Sequence, residues 1–321
     1  MRVLSGVQPS GALHIGNYFG AIRQFIELQQ EHECYYFIAD LHALTTVHDA
    51  ELMSGLVRDV AAGFLALGLD PERSVLYRQS DLPEIPELTW YLSTVTSMGL
   101  LQRCHSFKDK VAQGVIPNHG LFAYPVLMAA DILIVRSDLV PVGRDQKQHL
   151  EVTRDIALSF HATYGKEVFT LPEPIIKDEV AVVPGLDGRK MSKSYGNTVE
   201  LFGPEKAVRK GIMSITTDST PVEEPKPKKD SGLYELLKLF APAGERDWVE
   251  RAFDEGGTGY GDIKKRLFEF YMETFGAARE NFETLQADPG EVDRILTEGA
   301  ATARETAAPL MDDVRSAVGL G

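Results

Sequence analysis

Over the first eighty residues the apolar positions switch between two spacings. Residues 2–7 and 34–39 read as short strands, and the second is apolar at nearly every position, as in a strand buried on both faces. Between them Tyr18, Ile22, Phe25, Ile26 and Gln29 fall at helical spacing. Leu52, Leu56, Val60 and Phe64 mark a second helix that stops near Gly68, and strand pattern resumes at 74–77. Such alternation implies a parallel sheet with crossover helices, an α/β doubly wound domain. Further strands are expected at 138–142 and 180–183. Ligands in these sheets bind beyond the carboxyl ends of the strands. Residues 8–10, 40–42, 143–146 and the loop around Lys190 each follow an expected strand, so the fold should gather them at one edge.

After about Val199 the strand signals fade. Residues 201–321 read as helices, interrupted by a Pro/Lys-rich stretch (221–229) and a Gly-rich one (256–261). Two domains are therefore expected, 1–200 and 201–321. Leu267, Phe268, Tyr271, Met272 and Phe275 form an amphipathic stripe of core character, and the tail from Ala300 reads as helical up to Val318.

Composition narrows the class. A chain of 321 residues with 25% charged and 44% hydrophobic residues is globular in character. Two cysteines, Cys34 and Cys104, with no C-x-x-C pair, argue against zinc, iron–sulfur or disulfide frameworks and suit a reducing cytoplasm. The start of the chain shows no signal-peptide pattern, and the longest apolar stretch (124–135) is broken by Asp131 and too short to span a bilayer. A cytoplasmic protein without a membrane partner is expected. The net charge of −14 is shared equally between 1–200 and 201–321, so a polyanionic partner needs a local basic surface. Lys206/Arg209/Lys210, Lys226/Lys228/Lys229 and Lys264/Lys265/Arg266 are the local clusters available, each also readable as an ordinary solvated face.

Neither common phosphate cradle, G-x-x-x-x-G-K-S/T nor G-x-G-x-x-G, occurs. In their place Gln8-Pro9-Ser10-Gly11 forms a turn after the first strand and leads into His14-Ile15-Gly16-Asn17. A helix start there offers N–H groups to phosphate. Gly16 would let an adenine ring lie flat on the backbone, while His14 and Asn17 supply donors. Taken alone, the segment fits equally a turn glycine beside a capping histidine. A second signature, Lys190-Met191-Ser192-Lys193-Ser194, lies between Gly188 and Gly196, where a mobile loop can carry its ammonium groups to the charge that forms on departing pyrophosphate. Lys108 and Lys110 are placed to reach the same phosphates. Asp131 stands in an otherwise apolar helix, where an unpaired carboxylate is costly. It suits a ring N–H donor such as indole, a phenol hydroxyl, or backbone amides.

The pair His14–Asn17 and Lys190–Ser194 resembles the double signature of class I aminoacyl-tRNA synthetases. Ser5–Gly11, Tyr124–Leu133, Val140–His149 and Tyr260–Lys265 resemble the bacterial tryptophanyl branch in particular, over almost the whole chain. The resemblance implies a Rossmann-type catalytic domain, a helical anticodon-binding domain, a homodimer, and the substrates ATP with Mg²⁺, L-tryptophan and tRNA(Trp). It assigns His14, Asn17, Lys108, Lys110, Lys190 and Lys193 to catalysis. Gln8, Pro9, Ser10, Gly16, Asn17, Gly143, Arg144, Asp145, Val182, Lys190, Met191, Ser192, Lys193 and Ser194 fall to ATP. Asp131 receives the indole N–H, with Met128, Val140 and Val142 near the ring, Tyr124 and Gln146 at the α-amino group, and His42 lining the site. Two positions depart from the family pattern. Arg144 stands where many members carry an acidic residue, and Ser106 where many have glutamine.

The implied reaction has two steps: carboxylate attack on the ATP α-phosphate, then transfer of the activated acyl group to a tRNA ribose hydroxyl. The alternatives are a tyrosine-specific synthetase, an adenylyl-transferase for a small metabolite, and a catalytically inactive synthetase-like paralogue that serves as a binding partner. Against the adenylyl-transferase stands the long helical segment after Val199.

Overall fold

The computed structural model describes residues 1–104, 118–143, 147–175 and 182–321. Along the chain run β1 (Arg2–Val7), α1 (Ile15–Asn17), α2 (Arg23–Leu28), β2 (Glu33–Ile38), α3 (Asp40–Ala43), α4 (Ala50–Ala66) and β3 (Ser74–Arg78). Then follow α5 (Glu84–Val95), α6 (Met98–Arg103), α7 (His119–Ile134), β4 (Leu139–Pro141), α8 (Lys147–Tyr164) and β5 (Glu173–Ile175). The remainder is helical: α9 (Glu205–Met213), α10 (Gly232–Phe240), α11 (Arg246–Asp254), α12 (Tyr260–Ala287) and α13 (Pro289–Val318).

The five strands form one parallel sheet in the order β3-β2-β1-β4-β5. In-register pairing from Arg2↔Glu33 to Val7↔Ile38, and from Cys34↔Ser74 to Ile38↔Arg78, brings the carboxyl ends of β1, β2 and β3 level. The order reverses between β1 and β4, so a crevice opens there. Side chains alternate between two cores. Val3, Cys34, Tyr36, Ile38 and Leu76 join α4 and α12 on one face, while Leu4, Tyr35, Phe37 and Tyr77 join α5, α7 and α8 on the other. That double coverage explains the unbroken apolar run of β2.

Two expectations about local structure need correction. The fifth strand is Glu173–Ile175, whereas Val182 and Val183 are not in a strand; residues 180 and 181 lie outside the described residues. Pro172 and Pro174 disguised β5, yet proline is tolerated in an edge strand because no second neighbour needs its N–H. Val183 instead accepts from the Met191 N–H at 2.8 Å, within a hairpin closed by a Pro184↔Lys190 bridge. The helix expected from Tyr18 onward begins with a π-helical turn (Tyr18–Ile22) before α2, so its spacing is not regular.

The stripe of α12 is core: Leu267, Tyr271 and Phe275 are buried in the cluster that holds α4. α13 crosses the edge of the sheet. Val292 and Leu296 belong to the first core, whereas Ala303, Ala307, Leu310 and Met311 belong to the second. At the crossing, a Cβ on Gly299 would stand 1.9 Å from the Leu76 carbonyl oxygen, so only glycine lets the helix backbone lie against β3. α13 thereby covers a strand edge that would otherwise be open. Arg78 pairs with Asp293 and Arg315 with Glu87 across this contact.

Candidate active site

A cavity of about 490 Å³ lies at the β1/β4 crevice. That is ample for an amino-acid side chain and within the usual range for small-molecule sites, about 300–1,000 Å³. Residues 4–8 of β1 and its following turn and 140–143 of β4 form two walls, and α7 forms a third. Gln8, His42, Tyr124, Met128, Asp131, Val140, Val142 and Gly143 all line it, so eight residues chosen from the sequence converge on one space. Gly6 is required there: a Cβ would come within 2.4 Å of the Phe37 ring, which also lines the cavity.

Asp131 is the only carboxylate among the described lining residues and is wholly inaccessible. α7 explains its burial, because the helix is apolar around most of its circumference and packs against α5 and α8. His42 Nε2 lies 2.9 Å from Asp131 Oδ2, and Gln79 Nε2 donates to Oδ1 at 2.7 Å. Burial pushes the Asp131 carboxyl up, and the hydrogen bonds from His42 and Gln79 oppose that rise. A carboxylate offers about four lone-pair sites, so two neighbours leave room for a third donor. Nearby, the Tyr124 hydroxyl lies 3.0 Å from His149 Nε2.

The two polar signatures meet beside this cavity rather than in its lining. Ile15 N–H donates to the Val199 carbonyl and Leu201 N–H to the Leu13 carbonyl, both at 2.9 Å. The first signature is thus stitched to the segment just after the second. Lys193 Nζ completes the joint by donating to the Gly11 carbonyl at 2.9 Å. Gly11 has φ +116°, a conformation that favours glycine. Pro9 and Ser10 lie between Gln8 in the cavity and Gly11 under Lys193.

His14 is buried, and its Nδ1 has no partner among the described residues. Burial, and secondly the Lys193 charge, lower its pKa to about 4. Its backbone N–H donates to Asn17 Oδ1 at 3.0 Å, which leaves the Asn17 NH₂ as donor. Gly16 has a packing reason of its own. The space of a Cβ is filled by the His14 ring, 2.9 Å away, and by Met191, so glycine here accommodates the protein's own imidazole.

A titration follows from His14. Its folded-state pKa lies below the ordinary value of 6.5, so the unfolded chain binds the extra proton first as pH falls. Stability contributed by the neutral ring is complete above pH 6.5 and is lost as pH falls from there towards 4. A ring-proton NMR titration of His14 should show a midpoint near 4; a midpoint near 6.5 would contradict the burial argument.

A buried side chain braces the signature loop. Asn197 is buried, accepts from the Ser192 N–H at 2.8 Å, and donates to Asp187 Oδ1 and to the Lys190 carbonyl. Gly188 and Gly196 take left-handed conformations at its two turns. Lys190 and Ser194 are exposed, and Val182 is exposed at its base. Lys108, Lys110, Ser106, Arg144, Asp145 and Gln146 lie outside the described residues. Sequence reasoning overlooked Gln79 and Asn197. The signal for Gln79 was present: it directly follows β3, as Gln8 follows β1 and Asp40 nearly follows β2.

A model of the family described as tRNA synthetases class I (W and Y) matches residues 1–276. A tryptophan–tRNA ligase of Rhodopirellula baltica is 54% identical over 320 residues, 100% of each chain. This chain belongs to the tryptophan–tRNA ligases of class I. Another tryptophan–tRNA ligase, from Fusobacterium nucleatum, is 50% identical over 99% of this chain and 98% of its own. Among solved structures, the tryptophanyl-tRNA synthetase of Campylobacter jejuni, complexed with ADP and tryptophan, matches with a TM-score of 0.95 at 48% identity, covering 100% of both chains. Membership gives the two stitched signatures and the Asp131 cavity a common family setting.

Proposed function

We propose that this protein joins L-tryptophan to tRNA(Trp) at the expense of ATP, with the cavity holding the amino acid and the stitched signatures holding the nucleotide. The observation that carries the reading is Asp131: one inaccessible carboxylate in an otherwise largely apolar cavity, held by two side chains and able to accept a further donor. Relatives at 54% and 50% identity are tryptophan–tRNA ligases, which favours tryptophan over tyrosine and an active ligase over an inactive paralogue.

In this reading Asp131 accepts the indole N–H, Met128, Val140 and Val142 enclose the ring, Tyr124 and Gln146 orient the α-amino group, Gln8 lies near the carboxylate or the α-phosphate, and His42 lines the site against Asp131. The tryptophan carboxylate then attacks the α-phosphate in line, and the bond to pyrophosphate breaks. No side chain has to act as nucleophile. Neutral His14 and the Asn17 NH₂ donate to the triphosphate, and Lys193, with Lys190, Lys108 and Lys110, meets the charge that gathers on pyrophosphate. Pro9, Ser10, Gly16, Gly143, Arg144, Asp145, Val182, Met191, Ser192 and Ser194 complete the ATP surface. In the second step a terminal ribose hydroxyl attacks the activated carbonyl and AMP leaves. Mg²⁺ is proposed to arrive on the phosphates of ATP, whose charge it shares. ATP–pyrophosphate exchange across the twenty amino acids tests the reading; a response to any other amino acid stronger than to tryptophan overturns it.

Residues 1–200 are proposed as the catalytic domain and 201–321 as the helical domain that reads the anticodon, in a cytoplasmic homodimer. No helix among the described residues is long and apolar enough to cross a membrane. The basic clusters are not equivalent as tRNA contacts. Lys228 is paired with Glu250 and Asp254, Lys226 is buried against backbone carbonyls, and Arg266 is held by Glu245, Glu269 and Glu273. Lys265 pairs with Asp262, and Lys264 is buried. Lys206, Arg209 and Lys210 instead stand exposed on α9 with no ion pair among the described residues, the Arg209 guanidinium lying over the Phe268 ring at 5.6 Å. This face is proposed to meet tRNA phosphates. Replacing all three with glutamate should leave tryptophan-dependent exchange intact and reduce the log–log salt slope of tRNA binding by about three, one per lost phosphate contact. An unchanged slope excludes α9 from the interface.

A further inference from the structure

Gln79 follows β3 directly, and none of its surface is exposed. Both ends of its amide are committed. Oε1 accepts from the backbone N–H groups of Leu41 at 3.1 Å and His42 at 3.3 Å, while Nε2 donates to Asp131 Oδ1 at 2.7 Å. The backbone donors fix the orientation. Turned the other way, the amide would set its NH₂ against two N–H groups and its oxygen against a carboxylate. The NH₂ therefore has to face Asp131. His42, whose backbone Gln79 holds, supplies the second contact, to Asp131 Oδ2 at 2.9 Å. One buried amide thus governs both neighbours of the carboxylate.

We propose that Gln79 is a positioning residue for substrate selection, fixing Asp131 as a purely accepting group aimed at a ring N–H that donates and does not accept. The inference rests on the tryptophan reading above. Two donors already on it oppose the pull of desolvation on the buried carboxyl. Those donors are bound in place and do not turn towards an incoming oxygen. A phenol hydroxyl at this point would bring an acceptor that Gln79 and His42 leave unanswered, whereas an indole N–H asks for nothing in return. Selection then works by hydrogen-bond sense as well as by shape.

The test compares kcat/KM in pyrophosphate exchange for tryptophan and for its benzothienyl analogue, in which sulfur replaces the ring N–H. Gln79→Glu keeps the size of the side chain and the oxygen used by Leu41 and His42, but sets a second oxygen or a shared proton against Asp131. Gln79→Met keeps the length and loses all three hydrogen bonds. Both variants should lower the tryptophan-to-analogue ratio by about 10-fold or more, the size of one weakened hydrogen bond to a charged group. The loss should appear in KM for tryptophan, with KM for ATP unchanged. A packing role alone would depress both substrates together and hold the ratio constant, which overturns the proposal. So does a Gln79→Glu variant with the wild-type ratio. A wild-type protein that exchanges with neither substrate removes the tryptophan reading itself and is recognisable as that separate failure.

Discussion

Lys193→Ala is expected to lower tryptophan-dependent ATP–pyrophosphate exchange by about 10²–10³, the effect of losing one preorganised charge, worth about 3–4 kcal/mol, where negative charge develops. Three observations mark Lys193 out from Lys190, the other described lysine of its loop. Its ammonium is already held over the first signature by the Gly11 carbonyl. It is partly withdrawn from water, and burial lowers its pKa from the ordinary lysine value. Its charge also reaches His14 strongly enough to help keep that imidazole neutral. An ammonium so placed is positioned before pyrophosphate begins to leave and loses little hydration on meeting it. The binding of tryptophan, measured by calorimetry in the absence of ATP, should be unaffected. A fall smaller than about threefold, under 1 kcal/mol by transition-state arithmetic, would remove Lys193 from the catalytic set.

Asp131→Ala is expected to raise KM for tryptophan by about 10²-fold, in line with about 1.5–3 kcal/mol for a hydrogen bond to a charged group, while KM for ATP is retained. The separation of the two constants follows from the geometry. Asp131 touches His42 and Gln79 and lines the cavity, whereas the stitched signatures lie on the other side of the Pro9–Gly11 turn. The variant should also be less stable, because the Gln79 NH₂ is left buried without a partner, at a cost of about 1–3 kcal/mol. Unchanged tryptophan binding in calorimetry would refute the assignment. A joint loss of ATP and tryptophan binding would instead indicate collapse of the sheet edge.

Much of the site was legible because strand ends are readable. The apolar runs at 2–7, 34–39 and 74–77 place their following polar residues at one edge of any parallel sheet, and Gln8 and His42 do line the cavity. Asp131 was legible by contrast, as a lone carboxylate in an apolar helix. The packing of the His14 ring against Gly16 was not, since nothing in the order of residues says which ring will lie beside the space a Cβ would take. β5 was missed because its prolines carry the local signature of a loop, and only its place at the edge of the sheet makes them acceptable.

By itself the sequence determined the alternating α/β half, the helical half, the two polar signatures and the residues that line the cavity. Those are local properties, set by the period of apolar positions and by the residue types that chemistry demands. Only the tertiary structure decided which groups became partners. It set the buried Gln79 amide between Asp131 and His42, and it laid Lys193 over Gly11. It paired Lys228, Lys265 and Arg266 with carboxylates and left Lys206, Arg209 and Lys210 exposed, and it took α13 back across the edge of the sheet at Gly299. Partnership depends on which side chains meet across long separations in the chain, and burial then obliges each polar group to find its complement.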